Sequence, residues 1–173
     1  MSHWKLSTFI AVLCAALGST AFAAEYSEST FSKYEHAAWV SLGFTNGGLS
    51  LGADYEYAAD RTYGVGGLLR FYNKDDDRTA DGIMVIGGFI RPHFHRRAWD
   101  LYVTPGFGII NIDGARNRDD ATTLGPFMSY GVLYQVAESM AVGVESMTTS
   151  VWFDEDYRGI VMTDVMFRGR FSF

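Results

Sequence analysis

Cysteine, lysine and proline are all scarce in this chain. Its one cysteine, Cys14, excludes an intrachain disulfide framework. Three lysines in 173 residues leave little with which to coat a water-facing surface, and three prolines with no glycine triplet exclude a collagen-like polymer. No apolar run reaches the ~20 residues that a helical membrane span needs. Positive charge is short as well: 14 Lys plus Arg stand against 20 Asp plus Glu, which argues against nucleic acid as a partner. What remains is one domain's length of chain, 48 % apolar and 16 % aromatic, too rich in aromatics for a disordered polymer.

Residues 1–5 form a short basic start, 6–17 are almost wholly apolar, and Ala21-Phe22-Ala23 has the small-x-small form that signal peptidase accepts. This predicts export, with a signal peptide over 1–23 cleaved before Ala24, a polar periplasmic lead-in over 24–35 and a folded body over 36–173. Cys14 then leaves with the leader; Leu13, where a lipoprotein site needs a small residue, argues against lipidation there. The mature chain keeps 13 basic side chains against 20 acidic ones.

The body is written with a period of two. Leu49, Leu51, Ala53, Tyr55 and Tyr57 alternate with Ser50, Gly52, Asp54 and Glu56, and Val161, Thr163, Val165, Phe167, Phe171 and Phe173 alternate with Met162, Asp164, Met166, Arg168, Arg170 and Ser172. Similar alternation runs over 99–109 and 124–134, and weaker signals at 37–44, 63–72, 83–90 and 140–152 bring the number of strands to eight. The segment 83–90 is apolar on both faces apart from Gly87 and Gly88, so its register is open. Thr45-Asn46-Gly47-Gly48 signals a tight hairpin. The connections 73–81, 112–122 and 153–158 are longer and polar, and 92–98 is a basic connection.

Alternation alone does not distinguish a soluble barrel from a membrane barrel; the second face does. In a soluble barrel that face meets water and carries many Lys and Glu. Here it is mostly Gly, Ser, Thr and Ala with a few charges, which suits a narrow, packed interior with the large apolar residues outside. Aromatics gather toward strand ends, with Tyr57, Tyr63, Trp99, Tyr134, Phe171 and Phe173 toward one rim and Phe44, Phe71, Phe107 and Trp152 toward the other. Rings at two levels suit two lipid–water boundaries.

The segment 161–173 ends in alternating apolar residues closing on Phe173, and 102–108 reads YVTPGFG. On these residues, the body over about 36–173 resembles the small bacterial outer-membrane β-barrel family, which includes the OmpA transmembrane domain, OmpX and Ail. The resemblance implies an eight-stranded antiparallel up-and-down transmembrane barrel in the bacterial outer membrane. It also implies that Val165, Phe167, Phe171 and Phe173 form the terminal signal read by the barrel assembly machinery. The loops are shorter than those of the family's adhesive members, which argues against an adhesin role.

An eight-stranded barrel encloses little more than its own side chains. Asp54, Glu56, Asp100, Glu145 and Asp164 are expected inside, pairing with Arg70, Arg168 and Arg170 into a salt-bridge plug, because unpaired buried charge is costly. The expected role is therefore structural or surface-related, non-catalytic, monomeric and without cofactor. The alternatives are a narrow channel for ions or small solutes, a lipid A-modifying enzyme, and a soluble periplasmic barrel with an apolar lumen. The enzyme would need a histidine beside a serine nucleophile, and the mature histidines are only His36, His93 and His95.

His93 and His95, two residues apart, would share a face in an extended chain, but with no third ligand visible no metal is expected there. They are read as turn residues which, with Arg91, Arg96 and Arg97, meet anionic headgroups of the inner leaflet. Asp75-Asp76-Asp77 lacks the glycine placement of a calcium loop. The longer connections carry Asp75, Asp76, Asp77, Asp81, Asp113, Asp119, Asp120, Asp154, Glu155 and Asp156 against Lys74, Arg78, Arg116, Arg118 and Arg158. This rim is expected to contact lipopolysaccharide through divalent cations, with its arginines meeting phosphates directly.

Overall fold

The computed structural model describes residues 33–45, 48–75, 80–115, 118–159 and 161–173. The predicted leader and most of the lead-in lie outside these residues, as do Asp76, Asp77, Arg78 and Arg116 of the predicted rim. Among the described residues nine strands follow one another: β1 (His36–Thr45), β2 (Gly48–Ala58), β3 (Tyr63–Tyr72), β4 (Gly82–Arg96), β5 (Trp99–Asp113), β6 (Ala121–Ala137), β7 (Met140–Ser150), β8 (Val161–Thr163) and β9 (Val165–Ser172). β8 and β9 are one stave divided at Asp164. The carboxylate there accepts the Met147 backbone N–H at 2.9 Å and the Tyr72 hydroxyl at 2.8 Å.

All pairings are antiparallel and join chain neighbours, and β1 pairs with β9 to close the sheet into an eight-staved up-and-down barrel. Closure leaves no sheet edge to be covered. The start of β1 and the end of β9 meet at one mouth, where the His36 and Phe173 backbones bond each other at 3.1 and 2.8 Å. This mouth is called the terminal end, and the opposite one the loop end.

Burial alternates along every long strand with the sense expected from the second-face argument. Val40, Leu42, Leu51, Tyr55, Ile109 and Phe167 are exposed on the outer wall, while Asp54, Glu56, Arg70, Arg168 and Arg170 are buried within. The ten aromatics assigned to the two rims are all exposed. The open register of 83–90 resolves with Ile83, Val85 and Phe89 facing in and Ile86 and Ile90 facing out.

Two expectations about connections are corrected. The segment 92–98 is not a basic connection: β4 continues through it to Arg96, which pairs with Trp99, and only Arg97 and Ala98 turn the chain. Arg97 takes a φ of 56°, a conformation that costs a side-chain-bearing residue about 1 kcal/mol or more. The connection 112–122 is also shorter than read, because β5 extends to Asp113 and β6 begins at Ala121.

The lumen is not filled only by small and charged groups, which is a further correction. Its loop half holds an apolar cluster including Leu68, Val85, Phe89, Ile110, Phe127 and Met147. A smaller group of Ala37, Trp39, Tyr102, Leu133 and Ala141 lies toward the terminal end. Inward glycines make room for these side chains: a Cβ on Gly106 would lie 2.2 Å from the Phe127 ring.

Candidate functional site

Between the apolar cluster and the terminal mouth lies a charge network built on six strands. Asp54 and Glu56 project from β2, Arg70 from β3, Arg91 and His93 from β4, Asp100 from β5, Glu145 from β7, and Arg168 and Arg170 from β9. Each lies on its strand's inward parity, so the alternation that puts leucine and phenylalanine outside puts these groups inside.

Asp54 is the hub, accepting from Arg70 at 2.5 Å, from Arg91 at 2.6 Å and from Arg168. Glu145 accepts from Arg70 at 2.9 Å, from Ser129 at 3.0 Å and from Arg168. Arg91 reaches Glu56 and donates to Thr104 Oγ1, each at 2.8 Å. His93 bridges Glu56 at 2.8 Å and Asp100 at 3.0 Å, and Arg170 holds Asp100 from the other side.

The Trp39 ring lies among three guanidiniums, with Arg91 at 4.3 Å, Arg168 at 4.4 Å and Arg170 at 5.4 Å from its centroid. Fully desolvated cation–π contacts are worth up to about 2 kcal/mol each. Trp39 therefore both fills the bore and stabilises charges that have left water. The side chains of Asp54, Glu56, Arg70, Arg91, Glu145 and Arg168 are 0 % exposed.

The structure joins seven of the eight charges singled out from the sequence and separates Asp164, whose bonds go to Tyr72 and the Met147 backbone in the loop half. It adds Arg91 and His93, which corrects their reading as headgroup-facing turn residues: both are buried in the lumen. The period of two could have found them, since Phe89, Arg91, His93 and His95 share one parity through Pro92. Val165, Phe167, Phe171 and Phe173 are exposed on the outer wall.

The loop end is tied by polar contacts. Lys74 meets Asp113 and Arg118 meets Asp81, both at 2.7 Å, and Tyr157 donates its hydroxyl to the Asp119 carbonyl at 2.6 Å. At the terminal end, Lys33 pairs with Glu138 in the β6–β7 turn, and that hydrogen bond raises the lysine's pKa.

No protein-family model matches the chain, and no curated protein sequence matches it either. Solved structures do match. Neisserial surface protein A aligns over 80 % of this chain and 94 % of its own, with 14 % identity and a TM-score of 0.62. The N-terminal β-barrel domain of Pseudomonas aeruginosa OprF aligns over 80 % and 96 %, with 11 % identity and a TM-score of 0.63. The chain has the fold of the small outer-membrane β-barrels. The Yersinia pestis outer membrane protein Ail, in a phospholipid bilayer nanodisc, shares this fold over 80 % of the present chain and all of its own, with 12 % identity and a TM-score of 0.51. At such identities the shared property is the small-barrel fold.

Proposed function

We propose that the chain is a non-catalytic integral protein of the bacterial outer membrane with a sealed lumen and a structural or surface role. The observation that carries this reading is the coincidence of an apolar outer wall with a charge network none of whose central side chains contacts solvent. The wall is suited to lipid, and a soluble periplasmic barrel would instead expose polar groups there. The sealed bore supports a structural role over a narrow channel. The histidine contacts favour a non-catalytic role: His93 bonds two carboxylates and His36 bonds the Tyr55 hydroxyl at 2.7 Å.

The terminal mouth would face the periplasm, with the loop end outward. There the acidic rim would meet lipopolysaccharide through divalent cations, and the outward Val165, Phe167, Phe171 and Phe173 would be presented to the barrel assembly machinery. The test is planar-bilayer recording of the folded protein. The expected outcome is an electrically silent membrane. Reproducible unitary currents would replace the structural reading with the channel.

A further inference from the structure

We propose that His93, His95 and Asp100 form a binding site for one divalent transition-metal ion of the zinc type just inside the terminal mouth of the barrel. β4 and β5 position the three residues: His93 pairs with Tyr102 and His95 with Asp100 across the ladder, next to the tight Arg97-Ala98 turn. Their donor atoms all lie within 4.8 Å of one another.

His93 Nδ1 stands 3.0 Å from Asp100 Oδ1, and His95 Nδ1 stands 3.6 Å from the same oxygen. An ion with bonds of about 2.0–2.1 Å to tetrahedrally arranged N and O ligands needs ligand–ligand separations of about 3.3 Å. The two contacts bracket that value. The imidazole rings are stacked parallel to within 3°, with centroids 5.5 Å apart, so seating one ion on both requires one ring to turn out of the stack.

The surrounding groups orient these donors as outer-shell partners orient metal ligands. Glu56 Oε1 lies 2.8 Å from His93 Nε2 and would hold the proton on that nitrogen when Nδ1, now bonded to Asp100, exchanges its proton for the ion. Arg170 bonds Asp100 Oδ2, which His93 Nδ1 also meets at 3.0 Å, while Oδ1 faces both histidines. A ring flanked by two carboxylates either donates from both nitrogens as an imidazolium or shares a cation with one of them.

Two imidazoles and one carboxylate suit zinc, nickel or copper over calcium or magnesium, which prefer all-oxygen shells. His95 is half-buried, so the site opens toward the mouth, with a fourth position left for water.

The test uses the untagged, folded chain in detergent micelles. Zinc is titrated against a chromophoric chelator, and 15N NMR follows the histidine side chains. The expected result is one zinc per chain, with the Nδ1 resonances of His93 and His95 shifting. Binding should weaken in His95→Ala and in Asp100→Asn by at least the roughly 10- to 100-fold that loss of an outer-shell partner costs. Retention of the heat-dependent gel shift verifies folding of each variant, and the NMR arm on the unaltered chain stands whether or not they fold. Absence of stoichiometric binding, unmoved Nδ1 resonances, or equal affinity in folded His95→Ala would overturn the proposal. So would loss of binding in His36→Ala alone, which would place the ion on the outer rim.

Discussion

The two halves of the lumen are sealed by opposite chemistries. Toward the loop end, Val85, Phe89, Ile110, Phe127 and Met147 fill the bore as an apolar core would. From the middle to the terminal end, the same bore is filled by four carboxylates, four guanidiniums, His93 and Trp39. One backbone tolerates both solutions, so filling the space does not by itself require charge. A buried ion network is on average no more stabilising than well-packed apolar groups of the same volume, yet it is far less forgiving of partial loss. The charged half is accordingly the part of the lumen with a geometric specification, and the proposed metal site lies at its terminal edge.

The largest test of this contrast removes the hub. Asp54→Ala leaves three guanidiniums facing one another without their shared acceptor, and should cost about 3–5 kcal/mol. A fall in the urea midpoint of the micelle-folded protein would register the loss. Ile110→Ala in the apolar half creates a cavity without stranding a charge, and about 2–4 kcal/mol is expected in the same titration. If Ile110→Ala proved the more damaging of the two, the charged half would not be the more tightly specified one. The smallest effect lies outside both halves: Arg97→Gly relieves the positive φ of the β4–β5 turn and should raise the midpoint, by a stability gain of about 1 kcal/mol. A fall would mean that the arginine side chain contributes more than its backbone costs.

The same contrast explains what could be read from the amino-acid sequence. The outer wall and the charged staves β2 and β9 were legible because their two faces differ in kind, as in Asp54 and Glu56 against Tyr55 and Tyr57. In the apolar half both faces are greasy. Ile83, Met84, Val85 and Ile86 run together in β4, so period-two reasoning has no contrast to use, and the register of that strand became visible only from burial.

Arg91 and His93 were missed for a different reason. Pro92 and the cluster of basic residues resembled a loop, whereas β4 continues through Pro92, kept in register by β3 while its pairing with β5 lapses over 90–92 and resumes at His93↔Tyr102. Asp100 sits far along the chain's turn from His93 in sequence terms, seven residues on, but directly within reach once β4 and β5 pair. A third donor of that kind is supplied by strand pairing and leaves no local spacing pattern to find.

The placement of the outer wall against lipid and of the network away from it is tested most directly by the protein's own tryptophans. Trp39 is 1 % exposed in the lumen, whereas Trp99 and Trp152 are 49 % and 53 % exposed on the outer wall. In bilayers of brominated lipid, emission from Trp99 and Trp152 should be strongly quenched. Emission from Trp39, isolated by Trp99→Phe and Trp152→Phe, should be almost unaffected. Quenching of Trp39 as deep as that of the two outer tryptophans would contradict the enclosed network and the account built on it.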